Sequence, residues 1–417
     1  RVAVGTRSTD TWFPVSSASP ARVNPLDDHK VFVTVQSEYY KGWGRYFEER
    51  THGDVSYDHP DNEVTLELVT PLGRATVSDG LAGLSSGSLS ISGSTYNAGC
   101  GPGGAYIDSY NSTGTTADYC AQPPSDNGNL TYGGDVSLGG AGGGGDIRGS
   151  ISAGGDITMN NDGWTVFEDI YSVGACEVTG GPNSGPCTDP TVQAAILADP
   201  VTDDYHPISA VEERPVLDNV VASKINTLSN PANNDNNIVP EINSNTINFG
   251  GGSVTLPGGH SYFLDHVYIP PGSTLRIDAC SAAAPKTTIA IRRDLELRRS
   301  GNTGARLVVD DAACDNDHTV EVFVGGDPGP DGDNWDFSLS RASEVVVPRD
   351  DAPQFRIFGK QTFEAKLSEQ GGSNRGAYHG VIFAPVGTSD PTDGQVELNK
   401  VDVFGGIVTG ETTMPTK

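Results

Sequence analysis

The sequence predicts a mainly β protein: a β-solenoid, or β-helix-like stack of short strands, with an N-terminal α+β portion and a few short helices. Glycine (53) and proline (27) are frequent among the 417 residues and aromatics are only 7%, which favours short strands and many turns. From Ile242 onward, apolar β-branched runs recur about every nine to twelve residues with turn signals between them. A Gly-Gly-Asp-(Val/Ile) unit repeats at 133, 144 and 154, with glycine at corners and branched residues facing inward, as in stacked coils.

Three segments follow from the pattern: an α+β segment over 1–98, Gly-rich disulfide-stapled coils with a helical insert over 99–237, and a β-rich solenoid-like domain over 238–417. The first opens with strand-like runs at Val2–Val4 and Val31–Val35. Ser37 caps a predicted helix over 37–50, SEYYKGWGRYFEER, whose Tyr39, Tyr40, Trp43, Tyr46 and Phe47 share one face. Such a stripe reads as core rather than as a sugar platform. A hairpin is expected around His59-Pro-Asp-Asn62, followed by a strand over Ser85–Tyr96.

In the middle segment, 190–197 reads as a short amphipathic helix and 212–228 as a second. The polar NPANNDNN at 230–237 is the best candidate boundary. Strands are then expected at 253–256, 262–269, 274–279, 287–297, 306–309, 319–324, 337–339, 344–347, 354–358 and 362–367. The chain closes with YHGVIFAPVGTSDPTDGQVELNKVDVFGGIVTG over 378–409, read as the coil that caps the stack.

The formal charge is −28, from 54 acidic and 26 basic residues, and only eight of the basic residues are lysine. An acidic, lysine-poor surface stays hydrated in molar salt, where the Debye length is about 3 Å, so a halophilic source is expected. This charge argues against nucleic acid and anionic membranes as partners. The six cysteines, Cys100, Cys120, Cys176, Cys187, Cys280 and Cys314, lie in three local pairs without metal spacing. Fifteen connectivities are open, nearest-neighbour pairing being the simplest. With the sequons at Asn111 and Asn129, they point to an oxidising, extracellular or cell-surface location and a glycoprotein. No membrane segment is present, and a leader would have been removed or trimmed away.

Chemical motifs are sparse. Gly83-Leu84-Ser85-Ser86-Gly87 matches the nucleophile-elbow pattern, but strand-like sequence follows where a helix is required. The glycines of 99–104 enclose proline and cysteine and precede no helix. His260 and His266 would share a strand face but lack a third ligand. Asp327, Asp331, Asp333 and Asp336, on a Gly/Pro-rich loop, form a weak calcium candidate whose alternative is a solvated loop. Arg292, Arg293, Arg298 and Arg299 are a cationic patch that could grip an acidic glycan or a neighbouring subunit, or simply pair with surrounding acids. No catalytic residue and no other cofactor is indicated.

The aromatic stretch at 37–50, the Gly-Gly-Asp coils, LPGGHSYFLDHVYIPPGSTLRID at 256–278 and the 378–409 run together resemble haloarchaeal type IV pilin-like cell-surface proteins with a β-rich domain. The resemblance implies a pilin-like N-terminal portion and a secreted structural or adhesive protein, a filament or appendage subunit that associates with itself or other surface proteins. Such proteins normally begin with a class III signal and a hydrophobic helix, which this chain does not show. The competing expectation is a β-solenoid exoprotein that binds or cleaves polysaccharide, with acid/base groups converging on one groove.

Overall fold

The structure, a computed structural model, describes residues 2–8, 11–14, 31–37, 62–68, 81–93, 105–107, 128–140, 144–209, 220–279, 286–310, 318–326, 335–340, 342–347, 354–360, 363–368, 376–384, 394–399 and 401–414. Two compact units are present, Arg1–Thr76 and Val77–Lys417. Both boundaries expected from sequence, after 98 and after 237, lie inside the second unit.

The first unit holds a four-stranded antiparallel sheet in the order β2-β1-β3-β4: β1 (Val2–Ser8), β2 (Thr11–Pro14), β3 (Val31–Ser37) and β4 (Asn62–Leu68). Ser37 ends β3, and residues 38–50 of the expected aromatic helix lie outside the described residues. The partner of β4 is β3, in register from Ser37↔Asn62 to Val31↔Leu68. The expected hairpin partner at 54–57 also lies outside the described residues.

The second unit is a stack of parallel strands, as the composition predicts. Its N-terminal coils run β5 (Leu81–Gly93), β6 (Ala105–Ile107), β7 (Leu130–Tyr132), β8 (Val136–Gly140), β9 (Gly145–Ile147), β10 (Ile151–Ala153), β11 (Ile157–Met159), β12 (Trp164–Val166), β13 (Ile170–Ser172), β14 (Cys176–Val178), β15 (Gly185–Pro186) and β16 (Tyr205–Pro207). Helix α1 (Pro190–Ile196) sits between β15 and β16, with Asp189 capping the Thr191 N–H and Val192 and Ile196 buried. Helix α2 (Val220–Leu228) follows; the rest of its expected extent, 212–219, lies outside the described residues.

The C-terminal coils begin with the hairpin β17 (Ile242–Asn243) and β18 (Thr246–Ile247). They continue through β19 (Ser253–Pro257), β20 (Ser261–Leu264), β21 (Val267–Ile269), β22 (Thr274–Asp278), β23 (Lys286–Ile291), β24 (Leu295–Leu297), β25 (Arg299–Ser300), β26 (Thr303–Gly304), β27 (Arg306–Asp310) and β28 (Thr319–Val324). The last coils are β29 (Phe337–Ser340), β30 (Glu344–Val346), β31 (Phe355–Gly359), β32 (Glu364–Ser368), β33 (Gly376–Ala384), β34 (Gln395–Asn399) and β35 (Val401–Met414). Two expected strands, 262–269 and 287–297, are each two strands split at a polar corner, Asp265-His266 and Arg292–Asp294. An apolar run reads as continuous in sequence, yet the backbone turns wherever a polar residue can hold the corner.

Three faces carry the stack. The first is β19, β22, β27, β30 and the starts of β33 and β35. The second is β20, β23, β28, β31, the end of β33, the middle of β35, the start of β5, then β7, β10, β13 and β16. The third is β21, β24, β29, β32, β34, the ends of β35 and β5, then β8, β11 and β14.

Stack order therefore differs from chain order. Residues 378–409, expected to cap the stack, lie in its middle: β35 pairs in parallel with β5, from Ile407↔Leu81 to Met414↔Ile91. The first coil of the unit is added to its last strand, and both runs of coils advance in one direction. Gly380 and Gly405 face each other in register with φ of 154° and 143°, where β33 and β35 pass from the first face to the second. A Cβ on Gly380 would lie 2.8 Å from the Phe355 carbonyl oxygen.

Alternation does the packing. In β7, β10 and β13 the outer residues of each triplet point inward and are buried while the middle one is half-exposed. Leu130, Ile151 and Ile170 share one register, so these coils take 21 and 19 residues. The Gly-Gly-Asp units at 133 and 154 are thus equivalent corners, whereas the unit at 144 leads into β9. The apparent ten-residue repeat is about half a coil.

Side-chain oxygens bind the corners together. Asp135 Oδ1 accepts from Asp156 N at 2.8 Å, and Asp156 Oδ1 accepts from Ala175 N at 2.7 Å. One corner earlier, Asn129 Oδ1 accepts from Ser150 N at 2.9 Å and Asp169 Oδ1 from Asp204 N at 3.1 Å. Cys176 and Cys187 form the expected local disulfide. The other four cysteines lie outside the described residues, although the strands preceding Cys280 and Cys314, β22 and β27, are neighbours.

Candidate functional site

The corner leading into the third face holds the densest set of buried carboxyls among the described residues. Register places Asp294, Asp336 and Glu364 in one column, each just before the aligned positions Leu295, Phe337 and Ala365. Leu295 and Phe337 belong to the continuous core, so the preceding residue must turn the chain and satisfy the next coil. Asp336 does this: its Oδ2 accepts from Glu364 N at 2.9 Å, as Asp135 does for Asp156.

Asp294, Glu296 and Asp336 are 5%, 3% and 8% exposed. Burial pushes the Glu296 carboxyl up to about 7, a hydrogen bond with Asp294 adds to this, and Arg298 opposes it. A carboxyl–carboxyl hydrogen bond requires one of the two to carry a proton. Burial also raises Asp336 to about 7 against the Glu364 amide and Lys360, with the Glu364 and Asp294 charges assisting. Next along this face, Lys366 pairs with Glu397 at 3.2 Å and lies 4.7 Å above the Trp335 ring. These carboxyls can exchange protons near neutrality, but their present partners are the backbone of the next coil and one another.

The calcium candidate divides at this corner. Asp336 is a buried strut rather than part of a solvated loop, and Asp327, Asp331 and Asp333 lie outside the described residues. Among the described residues, no group of three or more His, Cys, Asp or Glu is arranged to hold a metal ion. His260 pairs with Asp235 at 3.3 Å, while His266 bridges to Thr246 at the following corner. The two histidines lie on opposite sides of β20 because a corner, not a continuous strand, separates them.

The four arginines are divided too. Arg292 and Arg293 precede β24 and Arg298 and Arg299 follow it. Arg292 pairs with Asp265 at 2.7 Å, Arg298 pairs with Glu296 and lies 5.8 Å from the Tyr268 ring centre, and Arg299 reaches the Gly301 carbonyl at 3.5 Å. Their charge is largely answered within the coil. Asn129 sits at a corner immediately before β7 rather than in a loop, with Oδ1 held by Ser150 N. Asn111 lies outside the described residues.

A second, more accessible group lies on the second face, at the N-terminal coils' end of the stack. Tyr171 and His206 are register partners whose rings stack at 5.1 Å. Tyr171 Oη donates to Asp169 at 2.7 Å, and His206 Nε2 lies 3.5 Å from the same carboxylate. Burial alone would raise Asp169, but the bonds from Tyr171 and Asp204 N, with His206, hold it below its usual value; the Tyr171 hydroxyl is pushed up to about 12. His206 keeps 45% of its side-chain surface exposed. An exposed ring pair beside a carboxylate is chemically suited to a polyhydroxylated ligand.

Sequence reasoning passed over Asp169, Tyr171, His206, Asp294 and Glu296. They are far apart in sequence, and only the 19-residue and longer coil lengths bring them into columns. Asp before an apolar triplet, at 135, 156, 294 and 336, was the signal available.

Among the described residues no helix is long and apolar enough to cross a membrane. No curated protein and no solved structure matches the chain. The family model described as "Domain of unknown function (DUF7305)" matches residues 201–417, slightly more than half of the sequence, and the chain belongs to that family.

Proposed function

We propose that this chain is the rigid body of a secreted structural or adhesive protein at the surface of a halophilic cell, a filament or appendage subunit. The observation that supports it best is the unbroken second face, in which every strand from β20 to β16 is held by parallel neighbours and β35–β5 closes the only gap in chain order. Such a stack resists bending because each coil's backbone bonds are satisfied by the next. The net charge of −28 and the disulfide fit an exposed, oxidising, salty setting. Immunogold microscopy of native cell-surface material tests the reading: label on filaments or envelope is expected, and its absence from both rejects it.

The Tyr171–His206–Asp169 group favours a second reading, glycan binding as the means of adhesion. Acidic and neutral polysaccharides screened in high salt should bind the wild type and lose binding in Tyr171→Ala. Equal binding by both removes this reading, and chain cleavage would move it toward an enzyme.

A further inference from the structure

The seam between β35 and β5 is unusual in its connectivity. Ile407 to Met414 pair with Leu81 to Ile91 over seven registered positions and one irregularity between Thr409 and Glu411, so two faces are joined at once. These strands are more than 300 residues apart in the chain. Residues 201–417, matched by the family, contain β35 but not β5, so the seam joins the family region to what precedes it.

The cis connection works near the limit of its reach. The N-terminal coils end at β16, and α2 packs on β28, β23 and β20, with Lys224 5.9 Å from the Phe323 ring centre of β28. From β16 to β28 the second face counts eight strand spacings of about 4.8 Å, or roughly 38 Å. From Pro207 to Val220 the chain extends at most about 43–47 Å. A second copy can supply β5 to the same β35 without that constraint, and exchange of identical elements between protomers needs no new contact.

Other routes to end-on growth are obstructed on these faces. At the top of the second face, Asp235 and Asn236 occupy the edge of β20: Asp235 N donates to the Ser261 carbonyl at 2.7 Å and Ser261 N to Asp235 Oδ2 at 3.0 Å. At the bottom, β16 ends in Pro207, which has no N–H to offer, and β15 crosses β14 antiparallel on the third face.

We infer that the seam is exchangeable: β5 of one copy adds to β35 of a second, linking subunits head to tail through an interface each chain already contains. This rests on the filament reading and gives it a joint. The interface is heterologous, so it propagates as a ring or an open fibre.

The test uses the full-length chain carrying Ser90→Cys and Thr413→Cys, a register pair of the seam, since neighbouring strands bring Cα atoms within disulfide range. Protein with ordinary nitrogen and protein with 15N are unfolded, mixed, refolded and oxidised. The linked 90–413 peptide is then weighed. Mixed-isotope links that become more frequent as the refolding concentration rises are expected. Same-isotope links alone at every concentration overturn the exchange, and no 90–413 link at all overturns the seam itself. Microscopy decides separately: labelled filaments with only same-isotope links leave the filament reading intact, and mixed links without surface label do the reverse.

Discussion

Asn236 stands in for a neighbouring strand to Phe263. Its Nδ2 donates to the Phe263 carbonyl at 2.5 Å and its Oδ1 accepts from Phe263 N at 3.0 Å, so one side-chain amide satisfies both backbone groups of an edge residue. An edge left open invites pairing with another chain. Asn236→Ala should lower stability by about 1–3 kcal/mol and increase association at high concentration. Thermal melts and light scattering check this; an unchanged melting temperature would mean water replaces the amide without loss.

The carboxyls at the third-face corner predict pH dependence. Glu296 and Asp336 both rise to about 7 on folding, from 4.5 and 3.8. A raised carboxyl binds its proton more tightly when folded, so its stabilisation is complete below the unfolded pKa and lost as pH climbs through the folded one. Stability should therefore fall between about pH 5 and pH 8, by on the order of 3 kcal/mol. The double variant Glu296→Gln with Asp336→Asn should flatten the trend in denaturant titrations at fixed salt.

Gly155 packs where no side chain fits, because a Cβ there would meet Asp135 Oδ1 at 2.0 Å. Gly155→Ala should cost at least about 1–3 kcal/mol through overpacking. Asp135→Ala relieves the clash but gives up the bond to Asp156 N. The double variant should consequently be more stable than the sum of the two single losses, a coupling that a double-mutant cycle measures.

On the second face Phe358 stacks between Phe323 at 5.2 Å and Phe383 at 4.9 Å and is 2% exposed. These rings point away from the coil interior, since Val320, Val322 and Val324 face the core. Phe358→Ala should cost about 3–5 kcal/mol, as large as an interior truncation. A loss below 1 kcal/mol in urea unfolding would show that the outward ladder contributes little.

Cys176 and Cys187 close a loop of sequence separation 11 against β15. Chain-entropy arguments give such a bond about 2–3 kcal/mol. Mild reduction should lower the melting temperature, and Cys176→Ser with Cys187→Ser should reproduce the effect and remove sensitivity to reductant.

Much of this architecture is legible in the sequence. The inward residues of Ile151–Ala153 and Ile157–Met159 are apolar, with glycine and aspartate at the corner between them, because a narrow coil leaves room for little else. The short helix at 190–196 announces itself through Asp189 and Pro190. The functional candidates are less legible. Tyr171 and His206 are separated by an enlarged coil containing the disulfide and α1, and Asp294 and Asp336 by one containing β25 to β28. Columns form across coils, and coil lengths that vary leave no fixed spacing to find.

By itself the sequence determined that the chain is mainly β, acidic, built from short inward-facing triplets with glycine corners, and locally stapled at Cys176 and Cys187. Those properties depend on residues near one another in the chain. Only the tertiary structure decided that 378–409 lies in mid-stack, that β5 seats on β35, and that Asp294, Glu296 and Asp336 share a buried corner. Parallel strands take their register from partners whole coils away, and the β35 edge accepts whichever strand of matching alternation can reach it.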